Sequence, residues 1–341
     1  MLETLQTAPH QSSRPLVDNF GRQVTYLRVS VTDRCDFRCT YCMSEHMQFL
    51  PRKDLLTFEE ISQIVRAFVA RGVNKVRLTG GEPLVRRDIM RLIDDLGGLL
   101  GYGALKELTL TTNGSQLARF AGSLHQAGVR RVNVSLDSLD PERFSDITRR
   151  GDFGKVMAGI DAASNAGIAI KINMVALKGV NDDEIVPMMR WAHGRGFDFT
   201  LIEGMPLGEV SLDREDTYLP LKQVHDALAQ QFTFRPSDKA TGGPARYRFV
   251  EETGGTIGFI TPMSHNFCES CNRVRLSATG QLFLCLGQDD RVDLRAALRD
   301  GGPAALDAAL DHAMQIKPKG HDFDVTRATP AVARHMSATG G

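Results

Sequence analysis

The sequence predicts an α/β protein built on a parallel sheet, followed by a smaller α+β portion. Three observations carry this. Between Thr25 and Met205, short β-branched runs alternate six times with longer amphipathic ones, at a period of about 30 residues. The chemically unusual residues gather where the short runs end. After Met205 the alternation stops.

Taken in order, the expected strands are Tyr26–Val31, Lys75–Thr79, Glu107–Thr111, Arg131–Leu136, Ile168–Val175 and Phe197–Ile202. The helices between them begin with Phe58–Arg71, where Ile61, Ile64, Val65 and Phe68 recur at helical spacing behind the capping residue Thr57. Others are expected near Arg87–Leu100, Gln116–Ala127, Phe153–Ala166 and Asp183–His193. Beyond Met205 come a polar loop, a helix at Leu219–Gln231, and weak strands at Arg246–Val250, Thr256–Ile260, Arg273–Ser277 and Leu282–Leu286. Two late helices, Leu294–Arg299 and Ala304–Ile316, complete the pattern, with a boundary near 206–220.

Composition narrows the function. Forty-one basic and 41 acidic side chains cancel, so no global field favours nucleic acid or a membrane surface, and an anionic ligand needs local cations. No run approaches the ~20 apolar residues of a membrane span, and the N-terminus lacks the design of a secretion signal. A cytoplasmic protein is the expectation.

All six cysteines fall in two triads: Cys35, Cys39, Cys42 and Cys268, Cys271, Cys285. A chain of 341 residues builds a core without staples, so the clustering argues for metal ligands rather than disulfides. Three thiolates on a cubane iron–sulfur cluster leave one iron open to a small molecule. A zinc site with a distant fourth ligand, such as His46 for the first triad or His265 for the second, stays open on spacing alone. Parallel α/β sheets place working residues at the C-terminal ends of their strands. The first cysteine loop, Gly80-Gly81-Glu82-Pro83 and Thr111-Thr112-Asn113-Gly114 follow the first three strands, and Ser135, Lys171, Asn173 and Glu203 to Met205 lie on or after the next three. Behind the second triad, Arg273 and Arg275 alternate along a strand and so share a face, which suits an anionic ligand.

The Cys35–Cys42 loop resembles the cluster motif of radical S-adenosylmethionine (SAM) enzymes. A narrower resemblance, to the GTP 3′,8-cyclases that begin molybdenum-cofactor biosynthesis, runs from Asp18-Asn19-Phe20-Gly21-Arg22 to Gly340-Gly341. It rests on the stretches Leu27 to Cys35, Lys75 to Pro83 and Phe267 to Leu276; Ser44 stands where that pattern has proline. The resemblance implies an incomplete (βα)6 TIM-like barrel at 24–206, after an N-terminal extension at 1–23. A C-terminal α+β domain at 207–341 then closes the open side. It implies two [4Fe–4S] clusters, with SAM on the first. Tyr41, Gly81, Ser135 and Met205 match positions that bind SAM. Arg28, Arg77, Thr111, Lys171, Arg273 and Arg275 match positions that bind GTP, whose guanine meets the second cluster.

The implied reaction is abstraction of hydrogen from C3′ of GTP by a 5′-deoxyadenosyl radical, then closure to (8S)-3′,8-cyclo-7,8-dihydroguanosine 5′-triphosphate. No side chain need act as a conventional acid or base in the abstraction. The Gly-Gly tail is expected to reach the active site. Implied partners are an electron donor and the next enzyme of the molybdopterin pathway, with a homodimer admitted and neither nucleic acid nor membrane expected. Two other readings remain: a radical SAM enzyme acting on a peptide, and a non-enzymatic, zinc-stabilised protein that binds a nucleotide or RNA.

Overall fold

The computed structural model describes residues 14–208, 210, 214–265, 267–321, 323–324 and 332–340. Most of the expected N-terminal extension and the last glycine, Gly341, lie outside the described residues.

Six parallel strands form in sequence order: β1 (Tyr26–Ser30), β2 (Lys75–Thr79), β3 (Glu107–Thr112), β4 (Arg131–Ser135), β5 (Ala169–Ala176) and β6 (Asp198–Glu203). The helices between them are α1 (Phe58–Ala70), α2 (Ile89–Gly101), α3 (Leu117–Gln126), α4 (Pro141–Thr148), α5 (Phe153–Asn165) and α6 (Ile185–Gly194). Helix α1 starts as its sequence suggests. Thr57 accepts from the Glu60 amide while the Glu60 carboxylate accepts from the Thr57 amide. Helix α4 was not expected. Only Phe144 and Ile147 give it an apolar face, too short a pattern to read, although the Asp140 cap and Pro141 at its first position are start signals.

Side-chain alternation splits the strands into two buried faces of opposite character. Leu27, Val29, Val76, Leu78, Leu108, Leu110, Val132, Val134, Ile170, Ile172, Phe199 and Leu201 belong to the apolar core that the helices cover. The residues between them are polar and also buried: Arg28, Ser30, Lys75, Arg77, Thr79, Thr109, Asn133, Lys171, Asn173 and Thr200. A parallel sheet packed on both sides ordinarily reads as a near-continuous apolar run. A buried polar face instead belongs to a chamber built for a polar ligand.

The last third of the chain adds α7 (Arg214–Thr217), α8 (Leu221–Leu228), β7 (Phe234–Pro236), β8 (Arg246–Val250), β9 (Gly255–Ile260), β10 (Arg273–Leu276), β11 (Gln281–Phe283), β12 (Arg291–Asp293), α9 (Leu294–Ile316) and α10 (Met336–Thr339). The two expected late helices are the halves of α9, broken at Gly302, whose backbone is left-handed (φ 65°) beside Pro303. These strands extend the first sheet at both edges rather than forming their own. The order is β12-β11-β10-β1-β2-β3-β4-β5-β6-β9-β8-β7, with β10 parallel to β1 and β9 parallel to β6. The boundary near 206–220 thus marks where βα alternation ends, not where the sheet ends. Strand pairing is long-range, so spacing along the chain does not reveal it.

The sheet is strongly curled. Lys75 on β2 donates to the Thr241 carbonyl, and the Thr241 hydroxyl lies 3.0 Å from the Tyr247 hydroxyl on β8. In a flat sheet β2 and β8, six strand spacings apart, would be about 29 Å distant. The 237–245 loop therefore spans the end of the chamber where β2 begins. At the opposite rim, buried Glu203 accepts from the amides of Leu221 (3.0 Å), Met263 (2.9 Å) and Ser264 (3.1 Å), tying β6 to the C-terminal segments.

Candidate active site

The first cysteine triad lies in the loop after β1, and the unexpected helix α4 holds that loop. The amides of Arg38 and Thr40 donate to the carbonyls of Thr148 and Ile147 (2.9 Å each), and Phe37 packs edge-on against Phe144. From below, the end of β2 supports it: the amides of Gly81 and Glu82 donate to the carbonyls of Thr32 (2.9 Å) and Arg34 (2.8 Å). A Cβ at Gly81 would overlap the Arg34 carbonyl, so this glycine is required by the close approach of the two loops. Its neighbour Glu82 is fully buried and accepts from the amides of Leu84 (3.0 Å) and Asn113 (2.7 Å) and the Thr112 hydroxyl (2.9 Å). Burial raises its pKa to about 8.

The electrostatics of the triad call for a cation. Burial pushes all three thiols up, Cys42 to about 11, and Cys42 and Asp137 hold the Cys39 thiol higher still. A bound iron cluster supplies the positive charge that makes them thiolates. The Phe37 amide (3.4 Å) and the Asn113 side-chain amide (3.8 Å) point at the Cys35 sulfur. Among the described residues, no three His, Cys, Asp or Glu side chains converge as a single metal ion requires.

One cavity is lined by Cys35, Cys39 and Cys42 and by all four residues expected to bind SAM: Tyr41, Gly81, Ser135 and Met205. Thr111, Asn113, Asn173, Met336 and Ser337 also line it. Tyr41 is aimed by Asp137, which accepts from its hydroxyl at 2.6 Å and from the Val175 amide at 2.8 Å. Burial holds the Asp137 carboxyl at about 6. Sequence reasoning named Asn113 only within the rim segment after β3, and it missed Asp137, two residues beyond the end of β4.

The second triad lies outside the lining of this cavity. Cys268 and Cys271 precede β10 and Cys285 follows β11. Burial pushes the Cys271 thiol up, but Arg273 and Lys317 outweigh it and hold the group below its ordinary value. Two arginines from remote segments fix the cysteine loops. Arg22 donates to the carbonyls of Cys268, Lys319 and Pro318 (2.7 Å each), and Asp18 orients it through a 2.7 Å ion pair. Arg334 donates to the carbonyls of Cys285 (3.2 Å), Leu286 (2.5 Å) and Gln288 (2.6 Å). No local pattern announces Arg334; only the fold brings it there.

Between the triads lies an excess of positive charge. Arg28 on β1 is in register with Arg275 on β10 and Arg77 on β2. Arg28, Arg77, Lys171, Arg273 and Arg275 are all buried, and none has an ion-pair partner among the described residues. Burial and then neighbouring arginines depress Arg28 and Lys171 well below their usual ranges and bring Arg275 to about 10. Polar atoms of Arg28, Arg77, Thr79, Thr111, Asn133, Asn173 and Thr200 are buried without partners among the described residues. Uncompensated buried cations are costly, so a bound polyanion would stabilise the arrangement. All six residues expected to bind GTP lie on strands of this inner face, as does Lys75, which sequence reasoning passed over.

The chain's end enters the same space. The Arg275 guanidinium donates to the Gly340 carbonyl at 3.0 Å, and Gly340 packs on Thr79 and Gly80.

Comparison with known proteins agrees with this geometry. A family model described as Radical SAM superfamily matches residues 29–192, and one described as Molybdenum Cofactor Synthesis C matches residues 197–323. A GTP 3′,8-cyclase of Rhizobium etli (strain CIAT 652) is 65% identical over 330 residues, covering 96% of this chain and 94% of that protein. One from Brucella canis (strain ATCC 23365 / NCTC 10854 / RM-666) is 62% identical over 344 residues, covering 100% of both. Among solved structures, Streptococcus suis SuiB bound to S-adenosylmethionine is similar with a TM-score of 0.59 at 15% identity. The match covers 93% of this chain and 78% of that one, a likeness of fold.

Proposed function

The chain belongs to the GTP 3′,8-cyclase family of radical SAM enzymes, and from that premise we propose how its own residues divide the work. It catalyses the first step of molybdenum-cofactor biosynthesis, with SAM and [4Fe–4S] clusters as cofactors. Cys35, Cys39 and Cys42 hold the SAM-binding cluster and Cys268, Cys271 and Cys285 the second, which meets the guanine. When bound, this cofactor set would supply a 5′-deoxyadenosyl radical to take hydrogen from C3′ of GTP; C3′ would then join C8 of the guanine, and one electron and one proton would complete the product.

The protein's part is positioning and exclusion of water. Tyr41, held by Asp137, faces the adenine; Gly81, Ser135 and Met205 complete the SAM site. Arg28, Arg77, Lys171, Arg273 and Arg275 bind the triphosphate, whose roughly four negative charges replace the missing counter-charge. Thr111, on the cavity wall and the inner face alike, bridges the two ligands. The carrying observation is this cluster of buried cations between two cysteine triads, without ion-pair partners among the described residues.

The finer assignments follow the same reading. The division at 24–206 and 207–341 is one of cofactor, SAM on one side and guanine on the other, within a shared sheet. An external electron donor reduces the clusters, and the product passes to the next enzyme of the pathway. A reducing cytoplasm suits six free thiols; no helix among the described residues is long and apolar enough to cross a membrane. Assembly as a homodimer remains part of this reading.

The test is isotopic. With GTP deuterated at C3′, the anaerobic enzyme is expected to deliver one deuterium into each 5′-deoxyadenosine. Deuterium retained in the nucleotide would place the abstraction elsewhere.

A further inference from the structure

Tyr26 is the first residue of β1 and lies on its polar face, two residues before Arg28. Its register neighbours are Lys75 on β2 and Arg273 on β10. The ring is buried, with the Lys75 ammonium 5.1 Å and the Arg77 guanidinium 5.6 Å from its centroid. Those contacts use the ring alone, and phenylalanine would make them equally. The hydroxyl is what phenylalanine lacks, and here it is buried with no hydrogen-bond partner among the described residues.

Some buried hydroxyls on the chamber wall find partners within the protein, whereas those of Tyr26, Thr79, Thr111 and Thr200 have none among the described residues. Thr109 donates to the Arg131 carbonyl at 2.7 Å, and Tyr247 accepts from Lys171 at 2.6 Å. An unmatched buried hydroxyl weakens the fold unless a ligand satisfies it. Its charged neighbours (Arg28, Lys75, Arg77 and Arg273) only donate hydrogen bonds, so none can take the phenolic proton. An acceptor has to come with the ligand.

We propose that the Tyr26 hydroxyl donates a hydrogen bond to the triphosphate of the nucleotide in this chamber, setting affinity for the polyphosphate rather than for the guanine. The inference rests on the chamber being the GTP site and adds to it a contact that the motif residues do not include. Burial pushes the phenol up, yet Arg77, Arg28, Lys75 and Arg273 together hold it below the usual tyrosine range. That makes it a stronger donor to an oxyanion.

The experiment compares wild type with Tyr26→Phe as anaerobic, cluster-loaded full-length enzyme, using inorganic tripolyphosphate as a competitor of GTP. The KM for GTP and the inhibition constant for tripolyphosphate are both expected to rise about tenfold, equivalent to about 1.4 kcal/mol, with kcat within about twofold. Melting curves give a second readout. Without nucleotide the variant should melt at or above the wild-type temperature, and GTP should raise its melting point less than it raises the wild type's. Equal inhibition of both enzymes by tripolyphosphate would overturn the assignment of Tyr26 while leaving the chamber's. Failure of tripolyphosphate to inhibit the wild type would overturn both. A nucleotide-free variant that melts well below wild type would show that the hydroxyl has a partner inside the protein, against the proposal.

Discussion

Replacing Cys271 with alanine is expected to abolish cyclisation while leaving SAM cleavage in place. The two triads stand on different segments, one in the β1–α1 loop and the other around β10 and β11, and are scaffolded separately. The first loop is braced by α4, Gly81 and Glu82; the second by Arg22 and Arg334. Loss of one second-triad thiolate should therefore release its cluster without disturbing Tyr41, Ser135 or the cavity they line. Iron should fall from about eight to about four atoms per chain, as expected for one cubane lost of two. Product should drop by at least a thousandfold, a loss of roughly 4 kcal/mol of transition-state stabilisation. Formation of 5′-deoxyadenosine should continue, uncoupled from GTP. Cys39→Ala, by contrast, should lose both. If Cys271→Ala lost SAM cleavage as completely as Cys39→Ala, the two sites would not be separable as described.

The second large effect is expected at the chain's end. Gly340 has a left-handed backbone (φ 76°), and a Cβ there would overlap the Thr79 hydroxyl and lie 2.5 Å from the Thr79 Cβ. Thr79 is at the end of β2, directly before Gly80, and cannot retreat without moving the loop that supports the cysteines. The tail has to move instead. Gly340→Val should expel it, break the Arg275 contact to the Gly340 carbonyl and open the chamber to water. Cyclisation should fall at least ~50-fold, while the ratio of 5′-deoxyadenosine to cyclic product rises well above one. The melting temperature should change little, because among the described residues beyond 314 only Val332 is a buried apolar side chain. A valine variant with normal coupling would show that the tail's position is incidental.

Both predictions turn on features of very different legibility. The cysteine loops, the Gly80-Gly81 turn and α1 are written locally, in spacings and caps of a few residues, and each stands within two residues of its expected place. The shared face of Arg273 and Arg275 was also legible from strand alternation, and Arg28, Arg77 and Lys171 stood out by the family resemblance. Their convergence was not. It depends on β10 joining β1 and on the curl that brings Thr241 to Lys75, which are contacts between residues far apart in sequence. Arg334 reads as one more charge in a polar tail until the fold carries it to the Cys285 loop. Tyr26 was hidden for another reason. An aromatic at a strand start has an ordinary packing role, and only its unpartnered hydroxyl marks it out.

Coupling of SAM cleavage to closure of GTP is what the buried polar face between the two cysteine triads is expected to provide. Its most direct test is stoichiometric. Anaerobically reconstituted protein, supplied with SAM and dithionite, is assayed for 5′-deoxyadenosine and cyclised guanine nucleotide with and without GTP. Strong stimulation by GTP and equal amounts of the two products are expected. Cleavage of SAM at the same rate whether or not GTP is present, with no cyclised nucleotide, would contradict it.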